Sequence, residues 1–202
     1  MGSSVAEERK ETGRVEAFSD GVFAFAITLL VLYLKDPAAN GGSLLQGLID
    51  QWPAFFAFVT SFMTILIMWV GHHQMFTFIR RADRQFMFLN GILLFFVTLT
   101  PFTTSLVADH ILSSDSQTAA VIYAADFLAL SFTWGNLTRH ASRKNLFAHG
   151  GDVGIRNQGR GAIIGLSFYA LAFVIAFFSG IASVVVILAV AVYYVVAPNV
   201  QG

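Results

Sequence analysis

Five long apolar blocks, separated by short polar segments, make up most of this chain: Val15–Leu34, Trp52–Ile79, Phe86–Ala108, Ala119–Leu137 and Ala162–Val196. A helix needs about 20 mostly apolar residues to cross a hydrocarbon core of about 30 Å. The last block is too long for one crossing, since a single helix of that length would extend roughly 50 Å. Ser179-Gly180 near its middle is a natural turn, which divides it into two short spans. The pattern predicts an all-α membrane protein with six transmembrane helices, at about 15–34, 52–79, 86–108, 119–137, 162–178 and 181–196. No linker divides the chain, so residues 1–202 read as one six-helix domain.

The basic residues test this topology. With the N-terminus in the cytoplasm, Arg9, Lys10, Arg14, Arg80, Arg81, Arg84, Arg139, Arg143, Lys144, Arg156 and Arg160 all lie inside, and only Lys35 lies outside. That asymmetry follows the positive-inside rule. An even number of spans then returns the C-terminus to the cytoplasm, giving a multi-pass protein of the cell membrane. A turn-rich outer loop is expected from Asp36-Pro37 to Gly41-Gly42, with a short amphipathic stretch before Trp52. The segment from Arg143 to Gly161 reads as a polar, glycine-rich inner loop. Trp52, Tyr123, Tyr193 and Tyr194 read as interfacial aromatics. The polar first dozen residues are expected not to form a cleavable signal.

Composition agrees with the pattern and narrows the chemistry. Hydrophobic residues make up 56% and charged residues 12% of the chain, against about 25% charged in soluble domains. There is no cysteine, which removes disulfides, thiolate metal sites and cysteine nucleophiles. A formal net charge of zero lends no support to nucleic-acid binding. No His-Glu-x-x-His motif or nucleophile–base pair points to an enzyme, and no cofactor is expected.

Polar residues at membrane depth carry the functional reading, because burying them there is costly. Ser19 and Asp20 sit about one turn inside the first span, with Arg14 and Glu16 just before it. His72 and His73 lie near the inner end of the second span, and Asn90 lies at the same depth in the third. Adjacent histidines on a helix point about 100° apart, so they do not chelate one metal together, and no metal site is expected. A buried cluster of Arg14, Ser19, Asp20, Asn90 and either His72 or His73 would satisfy these groups jointly. Asp126, in the fourth span, is expected to make a structural hydrogen bond. Pro101 is expected to kink the third span, with Thr100, Thr103 and Thr104 re-satisfying freed backbone groups.

The string Arg14-x-x-x-Phe18-Ser19-Asp20, continuing Gly-Val-Phe-Ala-x-Ala-Ile-Thr-Leu-Leu-Val-Leu, resembles the signature of the transmembrane protein 175 family of potassium channels. Trp69-x-x-His72-His73-x-x-Phe76 and Asn90…Leu99-Thr-Pro101-Phe102 resemble that family's second and third helices. The last three spans are similar to it only in hydropathy. The resemblance implies a homotetramer in the lipid bilayer, with each subunit's first helix lining a central pore that passes potassium ions. No Thr-Val-Gly-Tyr-Gly filter is present, so ordinary carbonyl selectivity does not apply. The family uses rings of bulky apolar side chains instead, which fall here on Phe25, Leu29 and Leu32. Thr28 matches a pore-lining threonine, and Phe18, His72 and His73 join Arg14, Ser19, Asp20 and Asn90 in the matched polar network. The family most often has Ile or Leu where Phe25 stands, and a larger flat ring would narrow the pore or shift its selectivity. The competing reading is a proton-coupled secondary transporter using Asp20, Asp126 and the histidines, which would favour inverted repeats and broken helices; none is evident in the sequence.

Overall fold

The computed structural model describes residues 2–37, 43–148 and 152–196, and apart from one isolated β-bridge the regular elements among them are helices. These are α1 (Gly2–Leu30), α2 (Leu44–Asp50), α3 (Trp52–Phe78), α4 (Arg84–His110), α5 (Ser116–Arg143), α6 (Asp152–Ala176) and α7 (Gly180–Val196), with a 3₁₀ turn over Val31–Tyr33 closing α1. Five segments are helical, long and apolar enough to cross a bilayer: Thr12–Tyr33, Trp52–Phe78, Arg84–His110, Ser116–Arg143 and Asn157–Ala176. The chain is therefore an all-α, multi-pass membrane protein. α7 is a shorter apolar helix of 17 residues.

The break between α6 and α7 falls at residues 177–179, where the backbone turns with Phe178 N–H and Ser179 N–H both donating to Ile175 O at 2.9 Å. Gly180 opens α7 against the start of α5. A Cβ there would lie 2.8 Å from the Ser116 carbonyl oxygen, closer than any other residue type tolerates, so glycine permits the approach. Ser183 Oγ then donates to Ala172 O at 2.8 Å, tying α7 back to α6.

Three expectations need correction. The segment from Arg143 to Gly161 is not all loop, because α6 begins at Asp152. Residues 149–151 within it, and residues 38–42 of the outer loop, lie outside the described residues. Tyr123 is not interfacial: it is fully buried and its hydroxyl lies 2.8 Å from Ser61 Oγ, which also meets Thr104 Oγ1 at 2.7 Å. Beside Pro101 the threonine hydroxyls do not reach the Val97 carbonyl that proline leaves without its usual partner. Thr100 bonds Phe96 O instead, while Thr103 and Thr104 bond Thr100 O.

The helices form a layered bundle. α3 and α4 make the middle, α1 packs on one flank of that pair, and α5, α6 and α7 pack together on the other side. α1 buries Ser19, Phe23, Ala26 and Leu30 against α3 and α4, positions spaced four, three and four apart on one helical face. Of the five long spans it is the least covered by its own subunit, with 22% of its apolar window buried.

At one end a clasp joins the connection after α3 to the one after α5. Arg80 N–H donates to Leu146 O at 2.8 Å and Ala148 N–H to Phe78 O at 2.9 Å, around the Ile79–Phe147 bridge. α5 stops there because Asn145 adopts φ 50°, a conformation asparagine tolerates better than most residues. This lets Leu146 N–H reach back to Ala141 O at 3.1 Å, as in a Schellman ending.

Asp83 caps α4 at the same end. Its carboxylate accepts from Phe86 N–H at 2.7 Å and from His140 Nε2–H at 3.0 Å. Burial opposes its ionisation, but the Phe86 N–H, the His140 imidazole and the charge of Lys144 outweigh that and hold its pKa below the ordinary carboxylate value. A carboxylate with a depressed folded-state pKa stabilises the fold above its unfolded pKa of about 4 and loses that contribution as pH falls through the folded value. Melting temperatures followed in detergent from pH 7 to 3 should therefore drop below about pH 4, and Asp83→Asn, which keeps a capping oxygen, should flatten that drop. Equal acid slopes in the two proteins would rule out Asp83 as a contributor.

Candidate functional site

The polar residues predicted at one depth separate into a buried chain and an outer rim. In the chain, Asn90 of α4 sits between α1 and α3. Its Nδ2 donates to Ser19 Oγ at 2.9 Å, and its Oδ1 lies 2.9 Å from His72 Nε2. An amide oxygen only accepts, so His72 carries its proton on Nε2. Ser19 completes the chain by donating to Val15 O at 2.8 Å. All three side chains are buried.

Aromatic rings hold His72 in place. Its centroid lies 4.6 Å from that of Phe76, 5.3 Å from Phe23 and 6.4 Å from Trp134. Among the described residues its Nδ1 has no hydrogen-bond partner. One histidine thus links α1, α3, α4 and α5, and of the adjacent pair it is His72 that faces inward.

The rim belongs to different partners. His73 Nδ1 lies 3.1 Å from Glu16 Oε1, and its ring stacks on Trp69 at 5.9 Å. Asp20 accepts from Trp69 Nε1–H at 2.9 Å rather than joining Asn90. Glu16, Asp20 and His73 place one ligand atom each within 4.8 Å of one another, a set that could hold a cation. Arg14 and Phe18 are both exposed, and they border a groove between α1 and α4 that also reaches Asn90 and Gly91. Trp69 and Glu16 were missing from the predicted set. The sequence signal for Trp69 is its position four residues before His73, one turn away on the same face.

The predicted constriction residues lie on the opposite side of α1. Phe25 is 63% and Leu32 70% exposed, whereas Leu29 is half-buried. Leu32 falls in the 3₁₀ turn that closes α1. The uncovered stripe runs through Phe18, Gly21, Phe25, Thr28 and Leu32. Thr28 is the polar member, and its hydroxyl donates to Phe25 O at 2.8 Å, which leaves its lone pairs facing outward. Asp126, deep in the bundle, accepts from Thr103 Oγ1 at 3.1 Å.

This is a helical membrane protein whose first helix stands at the edge of its subunit, braced by a buried serine–asparagine–histidine chain and uncovered on its other face. The family model for the endosomal/lysosomal potassium channel TMEM175 matches residues 14–101, the stretch that holds both the chain and the uncovered stripe. A potassium channel from Chamaesiphon minutus is 41% identical over 202 residues, covering 96% of this chain and 98% of the relative. A potassium channel from Streptomyces collinus is 46% identical over 135 residues, 66% of each protein. The crystal structure of a lysosomal potassium-selective channel TMEM175 homologue from Chamaesiphon minutus superposes with a TM-score of 0.84 at 39% identity, over 94% of this chain and 99% of that one. The chain belongs to the TMEM175 family.

Proposed function

We propose that this protein is a potassium channel of the cell membrane, a homotetramer in which four copies of α1 surround a central pore. The observation that carries this reading is the position of α1. It packs chiefly on α3 and α4 and leaves Phe18, Gly21, Phe25, Thr28 and Leu32 uncovered by its own subunit. A single subunit therefore offers one wall of a pathway, and further copies are needed to close it. Phe25, Leu29 and Leu32 form the constriction, which excludes ions or gates them by dewetting, while Thr28 presents a hydroxyl to the passing ion. The Ser19–Asn90–His72 chain, with the Asp20–Trp69 and Glu16–His73 pairs, fixes the angle of α1 against α3 and α4.

Six crossings form a single channel domain over residues 1–202, with α7 as the sixth. Its 17 residues extend roughly 25 Å, at the short limit for a membrane helix. Both termini are cytoplasmic. In support, Arg80 and Arg81 meet Leu146 in the clasp at one end of the bundle, while Lys35 pairs with Asp109 at 3.0 Å elsewhere. The carrier reading gives way to the channel, and Asp126 keeps a structural role as the acceptor of Thr103. The names of the relatives favour potassium as the permeant ion.

Purified protein in a planar bilayer under opposed potassium and sodium gradients should give discrete currents that reverse near the potassium potential. Reversal near zero would remove the selectivity. Saturable, pH-driven uptake without unitary currents would restore the carrier.

A further inference from the structure

On the far side of the bundle from α1, a groove of about 540 Å³ opens between α5 and α6. Its α5 wall is the stripe Phe132, Asn136, Arg139, Arg143, spaced four, three and four apart and hence on one face. Its α6 wall carries Arg160, Ile163 and Leu166. Each wall runs from apolar to basic in the same direction. Phe132 is 60% and Ile163 67% exposed at the apolar end of the groove, while Arg139, Arg143 and Arg160 line the end nearer the clasp in sequence. Among the described residues, none of the three arginines has an ion-pair partner, and no carboxylate lines the groove.

Both walls belong to membrane-spanning helices, so the apolar depth faces hydrocarbon and the guanidiniums sit at the level of the headgroups. Three like charges converging without a counter-charge repel one another, and an anion between them would relieve that repulsion. Guanidinium matches phosphate oxygens in a planar, bidentate fashion. The apolar floor beneath gives an acyl chain a surface that a free anion would not use. Basic pockets between membrane helices suit anionic lipid headgroups for these reasons.

We propose that this groove binds an anionic phospholipid, with its phosphate held by Arg139, Arg143 and Arg160 and an acyl chain laid over Phe132, Ile163 and Leu166. The test is native mass spectrometry of the detergent-solubilised protein titrated with phosphatidylglycerol, with phosphatidylcholine of the same acyl chains, and with inorganic phosphate. The wild type should retain phosphatidylglycerol at least about tenfold more strongly than phosphatidylcholine. Replacing all three arginines by glutamine should abolish that preference, and replacing them by lysine should keep most of it. Equal retention of the two lipids by the wild type would overturn the proposal, as would an undiminished preference in the glutamine variant. Displacement of phosphatidylglycerol by millimolar phosphate would reassign the groove to free anions. Should the glutamine variant fail to fold, Ile163→Asp, which adds a negative charge at an exposed position in the groove, must lower phosphatidylglycerol retention; unchanged retention would likewise overturn the proposal.

Discussion

Phe25→Ala should raise unitary conductance severalfold and weaken the preference for potassium over sodium, while leaving the stability of the subunit nearly unchanged. The two halves of this expectation have separate causes. Phe25 is 63% exposed on the isolated subunit, so removing its ring opens no cavity there and should cost within about 0.5 kcal/mol of subunit stability. Around a fourfold axis, however, four such rings would converge, and their loss would widen and wet the narrowest part of the pathway. Phe23→Ala is the matched control. Two residues earlier on α1, Phe23 is fully buried against His72, so truncating it should cost about 3–5 kcal/mol through loss of packing. Single-channel recording together with thermal unfolding in detergent separates the two variants. Unchanged conductance and selectivity in Phe25→Ala would place that ring against lipid and remove it from the pore.

The long apolar helices were legible because hydropathy alone reports them, and so was the break at Ser179-Gly180. Helix ends were less legible. The apolar block of the fourth span stops at Leu137, yet α5 continues to Arg143, because backbone hydrogen bonding does not end where hydropathy does. What stops it is the positive φ of Asn145 and the return of Leu146 N–H to Ala141 O, a local feature that no apolar count registers. The start of α6 at Asp152 was hidden the same way, inside a glycine-rich stretch.

At the candidate site, shared depth brought Ser19, His72 and Asn90 into one predicted group, and these three do meet. Depth says nothing about rotation about the helix axis, so it could not divide His72 from His73. It could not separate Asp20 from Asn90 either, since both were polar groups at one level with several partners in reach. Trp69 stands in the matched second-helix string but outside the predicted polar network, because its large ring reads as apolar, whereas its indole N–H is the donor that Asp20 accepts from.

Asn90→Leu should destabilise the protein by about 2–5 kcal/mol, since it removes two interhelical hydrogen bonds and strands the buried His72 N–H. Leucine is close to asparagine in size, so the loss comes from chemistry and not from a cavity. Ser19 Oγ would lose the donor at 2.9 Å, and His72 Nε2–H would lose its acceptor at 2.9 Å. Both lie where their own subunit excludes water, so neither recovers a bond from solvent. Ser19→Ala alone should cost less, about 1–3 kcal/mol, because only the Asn90 amide is stranded; the Val15 carbonyl keeps its ordinary helical partner. Combining the two should cost clearly less than their sum: once Asn90 is gone, the serine has no interhelical bond left to lose. Thermal or denaturant unfolding in detergent gives the cycle directly, and size-exclusion chromatography of the same samples reports whether the oligomer survives. Additive losses would mean that Ser19 and Asn90 act independently, and that the chain through His72 does not hold α1 to α3 and α4. A strong coupling energy with intact subunits but broken oligomers would place the chain's role in setting the angle of α1, on which a pore made from four copies depends.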